Sequence, residues 1–123
     1  MEQFQNRKNK GKYGENIAVN FLEKNGYIIL EKNFRFSRYG EIDIIALDKE
    51  TIVFVEVKFR TSNKYGMPME AITIRKKNHL VKSAIFYLQE KKCFGKSCRF
   101  DVISIENDKI DLYKNAFLTE SLY

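Results

Sequence analysis

The sequence predicts an α/β domain, a mixed β-sheet flanked by helices, with its elements in the order α-β-β-β-α-β-β. Two segments, around residues 13–22 and 80–88, repeat apolar residues at the helical period. Five other runs are short and dense in β-branched and aromatic residues, with Gly, Asn and Asp at their ends. The second helical segment falls between the third and fourth of these runs.

Residues 1–10 are polar and are expected to form a flexible tail, leaving 11–123 as a single domain. A helix is expected from about Gly11 to Asn25. Tyr13, Ile17 and Phe21 recur every fourth residue, and Ala18 and Leu22 widen the stripe. Gly26 suits a left-handed cap after it. A strand is expected over about Tyr27 to Phe36, a second over EIDIIAL from Glu41, and a third over TIVFVEVKFR from Thr51. The polar turn at 48–51 is so short that the second and third strands must pair antiparallel. A loop from Thr61 to Pro68 precedes a helix from about Thr73 to Lys91, whose stripe is Leu80, Val81, Ala84, Ile85 and Leu88. The strand CRFDVISIE then pairs with a last one, Lys109 to Tyr113, across Asn107-Asp108.

A chain of 123 residues is long enough for one packed core, and 44% hydrophobic residues with 14% aromatics exclude wholesale disorder. The formal net charge of +6 favours polyanionic partners such as nucleic acid. No run of about 18 apolar residues exists to span a bilayer, so no membrane association is expected. The start, MEQFQNRKNKGK, lacks the apolar centre of a secretion signal, so a cytoplasmic location is expected. Cys93 and Cys98 are too few for a four-cysteine zinc site and are expected as free thiols, with no function assigned.

The third strand carries the chemistry. Thr51, Val53, Val55, Val57 and Phe59 share one face; Ile52, Phe54, Glu56, Lys58 and Arg60 share the other. A strand apolar on both faces is covered on both sides. Charges at its end then need partners. On the second strand, strict alternation puts Ile42 and Ile44 on one face and Glu41, Asp43 and Ile45 on the other. Pairing around the turn places Asp43 roughly opposite Glu56. Two carboxylates so close repel unless a cation lies between them. Mg²⁺ or Mn²⁺ fits oxygen ligands and phosphate chemistry. Glu15 borders the buried stripe of the first helix and is placed to reach toward the sheet. The competing account is a solvated Glu-x-Lys face with a weak ion pair.

The ordered set Gly14-Glu15, Asn33 to Arg35, Gly40 to Asp43, Val53 to Arg60, Tyr65-Gly66, Lys76 and Cys98 to Val102 resembles the YraN-like family. These are bacterial proteins related to the restriction-endonuclease-like PD-(D/E)xK nucleases. The resemblance runs from about Lys12 to Phe117. It implies a restriction-endonuclease-like fold with Mg²⁺ or Mn²⁺ on the central hairpin. Asp43 and Glu56 would be metal ligands, aided by the backbone carbonyl of Val57. Lys58 would orient or deprotonate the attacking water, and Glu15 would be an accessory acid, as in the Holliday junction resolvases the family resembles. The superfamily's Pro-Asp pair is here Ile42-Asp43.

The activity implied is metal-dependent endonucleolytic hydrolysis of DNA, branched or single-stranded forms included. The alternative is a non-catalytic nucleic-acid-binding module on the same fold. A third account is a protein-interaction domain whose acids pair with Lys and Arg. Candidate nucleic-acid contacts are Arg35, Arg38, Arg60, Lys76 and Lys77, with Lys64 and Arg75 nearby. Lys77 falls within an apolar arc, where it either snorkels or meets a phosphate. Glu41 and Asp101 are further candidate acids; for Asp101 the competing role is an ion pair with Arg99. His79 is expected at the surface. The oligomeric state, a homodimer among the options, is left open.

Overall fold

In a computed structural model of the chain, the elements are α1 (Glu2–Lys24), β1 (Ile28–Arg35), β2 (Glu41–Asp48), β3 (Thr51–Arg60), α2 (Ile74–Glu90), β4 (Cys98–Glu106) and β5 (Lys109–Tyr113). The structure describes residues 2–36, 38, 40–60, 72–93 and 95–117, with side chains from Tyr13 onward. The expected loop at 61–68, with Lys64 and the Tyr65-Gly66 pair, lies outside them. Among the described residues no helix is long and apolar enough to cross a membrane.

The strands form one five-stranded sheet in the order β1-β2-β3-β4-β5. β1–β2, β2–β3 and β4–β5 are antiparallel, whereas β3 and β4 run parallel. Parallel neighbours need a crossover, and α2 supplies it. Its start is set by Thr73, whose hydroxyl accepts from the Lys76 N–H. The two tight hairpins turn on Lys49 and Asn107, both with left-handed φ.

Ala18 and Leu22 of α1 are buried with Ile44, Ala46, Val53, Val55, Ile103 and Ile105 on one face of the sheet. Leu80, Val81, Ala84, Tyr87 and Leu88 of α2 are buried with Ile45, Ile52, Phe54, Phe100 and Val102 on the other. The sheet is therefore the middle of three layers. The central strands are apolar on both faces because both are covered.

Two expectations are corrected here. The first helix starts at Glu2 rather than near Gly11. Residues 2–10 are polar, but Gln3, Gln5, Arg7, Lys8 and Lys10 are good helix formers and no proline interrupts them. Second, Ile42 and Ile44 do not share a face. Ile42 lies with Phe34 under α2, and Ile44 lies under α1. The alternation changes phase at Asp43. Opposite it, between the pairs Lys32↔Ile44 and Phe34↔Ile42, stands Asn33 with φ of 54°. A left-handed residue inside a strand breaks the pleat, and Asn tolerates that conformation.

Candidate metal centre

β2 and β3 pair from Asp48↔Thr51 to Ile44↔Val55 and no further. Beyond that point Glu41 to Asp43 remain on the β1 side, and Glu56 to Arg60 remain paired with β4. A notch opens where the ladder would have brought Asp43 opposite Glu56. Asp43 fills it by accepting the Val57 N–H at 2.8 Å through Oδ2. A strand residue points its N–H and C=O to the same side, so the Val57 carbonyl also faces the notch.

Three carboxylates meet there. Oxygens of Glu15, Glu41 and Asp43 lie within 4.8 Å of one another. Glu15 arrives from α1 and is held by Asn33 Nδ2, which donates to its Oε2 at 3.2 Å. The approach of α1 depends on Gly14. A Cβ there would stand 2.4 Å from Cε2 of Phe59, so any other residue would force the helix or that ring edge to shift. Glu41 is tied on its outer side to Arg35, 3.0 Å away.

Glu56 meets this cluster through Asp43 from the α2 side. It is 7% exposed, and its Oε2 has no hydrogen-bond partner among the described residues. Lys76 Nζ, on the first turn of α2, stands 4.0 Å from that oxygen, too far for a hydrogen bond. Burial, and after it the neighbouring Asp43 charge, pushes the Glu56 carboxyl up to about 7. Burial also raises Asp43; the Val57 N–H opposes the rise and the Glu15 charge adds to it. Without a cation, this arrangement holds protons more tightly than ordinary carboxyls do.

The sequence pattern of an uncharacterised protein family, UPF0102, matches residues 14–105. The chain belongs to the UPF0102 family. It is 54% identical over 108 residues to a UPF0102 protein of Persephonella marina, covering 88% of this chain and 92% of that one. It is 50% identical over 111 residues to one from Syntrophus aciditrophicus, covering 87% of each. A Clostridium botulinum relative is 51% identical over 117 residues, covering 89% of this chain and 94% of its own.

In this UPF0102 protein, Glu15, Glu41, Asp43, Glu56 and the Val57 backbone come together at the notch, with Lys76 beside Glu56. Lys58 is half-buried, and its charge acts on Glu56. Arg60 is half-buried too, with a buried Nη1 that has no hydrogen-bond partner among the described residues. Arg38 is exposed between β1 and β2.

Other candidates have contacts of their own. Arg35 pairs with Glu41 at the edge of the cluster. Lys77 snorkels, placing Nζ 5.5 Å from the centre of the Phe117 ring. His79 is half-buried rather than at the surface. Asp101 is not at the notch. It is buried on the α1 face, bound by Arg99 Nε at 3.0 Å and by the Asn115 N–H at 2.8 Å. Arg99 reaches on to Asp48 at 2.8 Å and to the Tyr27 hydroxyl at 2.7 Å. Sequence alone assigns no role to Gly14, Asn33 or Phe59, although all three fall in the segments shared with the family. A glycine in a helix and an Asn in a strand, each against local preference, were the available signals.

The Glu56 shift fixes a pH dependence. The folded state keeps the proton up to about 7 while the unfolded chain loses it near the ordinary 4.5, so the folded state binds more protons between these values. Stability in chelator is therefore expected to fall as pH rises through that window. The total is roughly 3 kcal/mol, at about 1.4 kcal/mol per pH unit. Glu56→Gln should flatten the curve in urea unfolding at stepped pH; a variant curve parallel to the parent's would refute the assignment.

Proposed function

We propose that this UPF0102 protein is a Mg²⁺- or Mn²⁺-dependent endonuclease-like hydrolase that cleaves phosphodiester bonds in DNA, on a restriction-endonuclease-like fold. The observation that carries the reading is Glu56: a buried carboxylate with an oxygen unpartnered among the described residues, pressed against a second acid, at the charged end of a central strand. Such a pair is costly unless a cation joins it. The donor set is all oxygen, which suits a hard divalent ion. Asp43, Glu56 and the Val57 carbonyl would hold it, with Glu15 and Glu41 at its border. When bound, such an ion supplies activation of water and neutralises charge developing on the phosphate.

The chain's own side chains supply the rest. Lys58 lies on the face of β3 that carries Glu56, so its ammonium can hold the attacking water or a phosphate oxygen. Val57 N–H orients Asp43. Lys76 and Arg60 add positive charge for the DNA backbone.

Lys76 also favours the second reading, a nucleic-acid-binding module without turnover. Its Nζ 4.0 Å from Glu56 is an internal cation already near the acids. DNA cleavage separates the two, and calorimetric titration with Mn²⁺ tests the site they share. The enzyme reading expects one binding event that Asp43→Ala and Glu56→Ala each abolish. If both variants bind Mn²⁺ as the parent does, the site is misassigned.

A further inference from the structure

We propose that Phe59 is a stacking platform for an unpaired base, so that the ligand is DNA with an unpaired nucleotide beside the phosphate held at the notch. This rests on the nucleic-acid reading above. Phe59 is the next-to-last residue of β3 and is 40% exposed, while its parallel partner Ile105 is buried. The Cδ2–Cε2 edge of its ring abuts the bare backbone of Gly14. The helix thereby holds the ring by its edge, and part of the ring meets solvent. A ring already held in place loses little freedom when a base settles on it.

Its surroundings match a nucleotide. The residue after Gly14 is Glu15, a member of the acid cluster. The flanking strand residues, Lys58 and Arg60, point to the opposite face, where the charge of Lys58 acts on Glu56 and the Arg60 Nη1 lacks a partner among the described residues. The strand end therefore alternates cation, aromatic ring, cation, with consecutive Cα atoms about 3.8 Å apart. A backbone phosphate on the charged side leaves its neighbouring base the ring on the other. Aromatic platforms of this kind take any base by its π-face. Bases inside an intact duplex are already stacked and cannot reach the ring without being extruded.

The test uses a flap oligonucleotide carrying 2-aminopurine at the unpaired position, and a matched duplex, in Ca²⁺. Binding is read by anisotropy and stacking by fluorescence. The parent is expected to quench the fluorophore and to bind the flap roughly tenfold more tightly than the duplex. Phe59→Leu, which keeps an apolar contact over Gly14, should lose both the quench and the preference; Phe59→Tyr should keep both. Circular dichroism confirms that each variant is folded. If Phe59→Leu binds and quenches as the parent does, the platform is refuted while the nucleic-acid reading stands. If the parent binds neither DNA, that reading fails and this one with it.

Discussion

Purified Lys58→Ala protein is expected to bind Mn²⁺ as its parent does and to cleave DNA about 10²-fold more slowly or worse. The ammonium stands on the Glu56 face of β3, at a half-buried position where no other described lysine shares the strand. Truncating it leaves the acids and the Val57–Asp43 hydrogen bond in place. Fold and metal affinity should therefore hold while the chemical step suffers. Lys58→Arg divides the possible roles. Arginine keeps the charge but cannot give up a proton, so recovery of cleavage means that charge suffices, and no recovery means that proton transfer is needed. The assay is a panel of duplex, single-stranded, flap and four-way-junction DNA with Mg²⁺ or Mn²⁺. If the metal-loaded parent cuts none of these, the hydrolase reading falls and the binding module remains.

The second large effect is on stability, far from the notch. Arg99→Met is expected to cost about 3–5 kcal/mol in urea unfolding, because it strands a carboxylate inside the protein. The Asp101 side chain is 0% exposed and the guanidinium is its only described ion-pair partner. The same substitution frees Asp48 and the Tyr27 hydroxyl. Replacing both members, Arg99→Met with Asp101→Leu, should recover part of the loss even though the Asn115 N–H then lacks its acceptor. Mn²⁺ affinity should be unchanged in both variants. An Arg99→Met protein as stable as the parent would remove Arg99 from the structural role assigned to it.

The parts of the fold legible in the sequence were those with a local cause. Thr73 caps α2 within one residue of the expected start, and the 48–51 turn sets the β2–β3 register that points Asp43 toward Glu56. What escaped was set by single residues or by distant partners. The alternation that strict period-2 counting assigns to Ile42 and Ile44 reverses opposite one left-handed residue, Asn33 on β1. The contact of Gly14 with Phe59 joins positions 45 apart in sequence, and no periodicity encodes it. Charge alone also could not show the contacts of Arg35 and Lys77: one pairs with Glu41 and the other lies over Phe117.

The parallel pairing of β3 with β4 bears on the order in which the protein is made. β1, β2 and β3 are contiguous, so their hairpins can close while the rest of the chain is still being synthesised. Yet that early sheet stops at Val55. The residues after it, Glu56 through Arg60, find a strand partner among the described residues only in Val102 through Glu106, which emerge after the whole of α2. Closing the 46-residue interval between such partners carries a loop entropy that no local contact offsets. A nascent or truncated chain ending before β4 would own every acid of the notch and still lack the strand that holds Glu56 in place. The centre is thus assembled only once β4 has emerged.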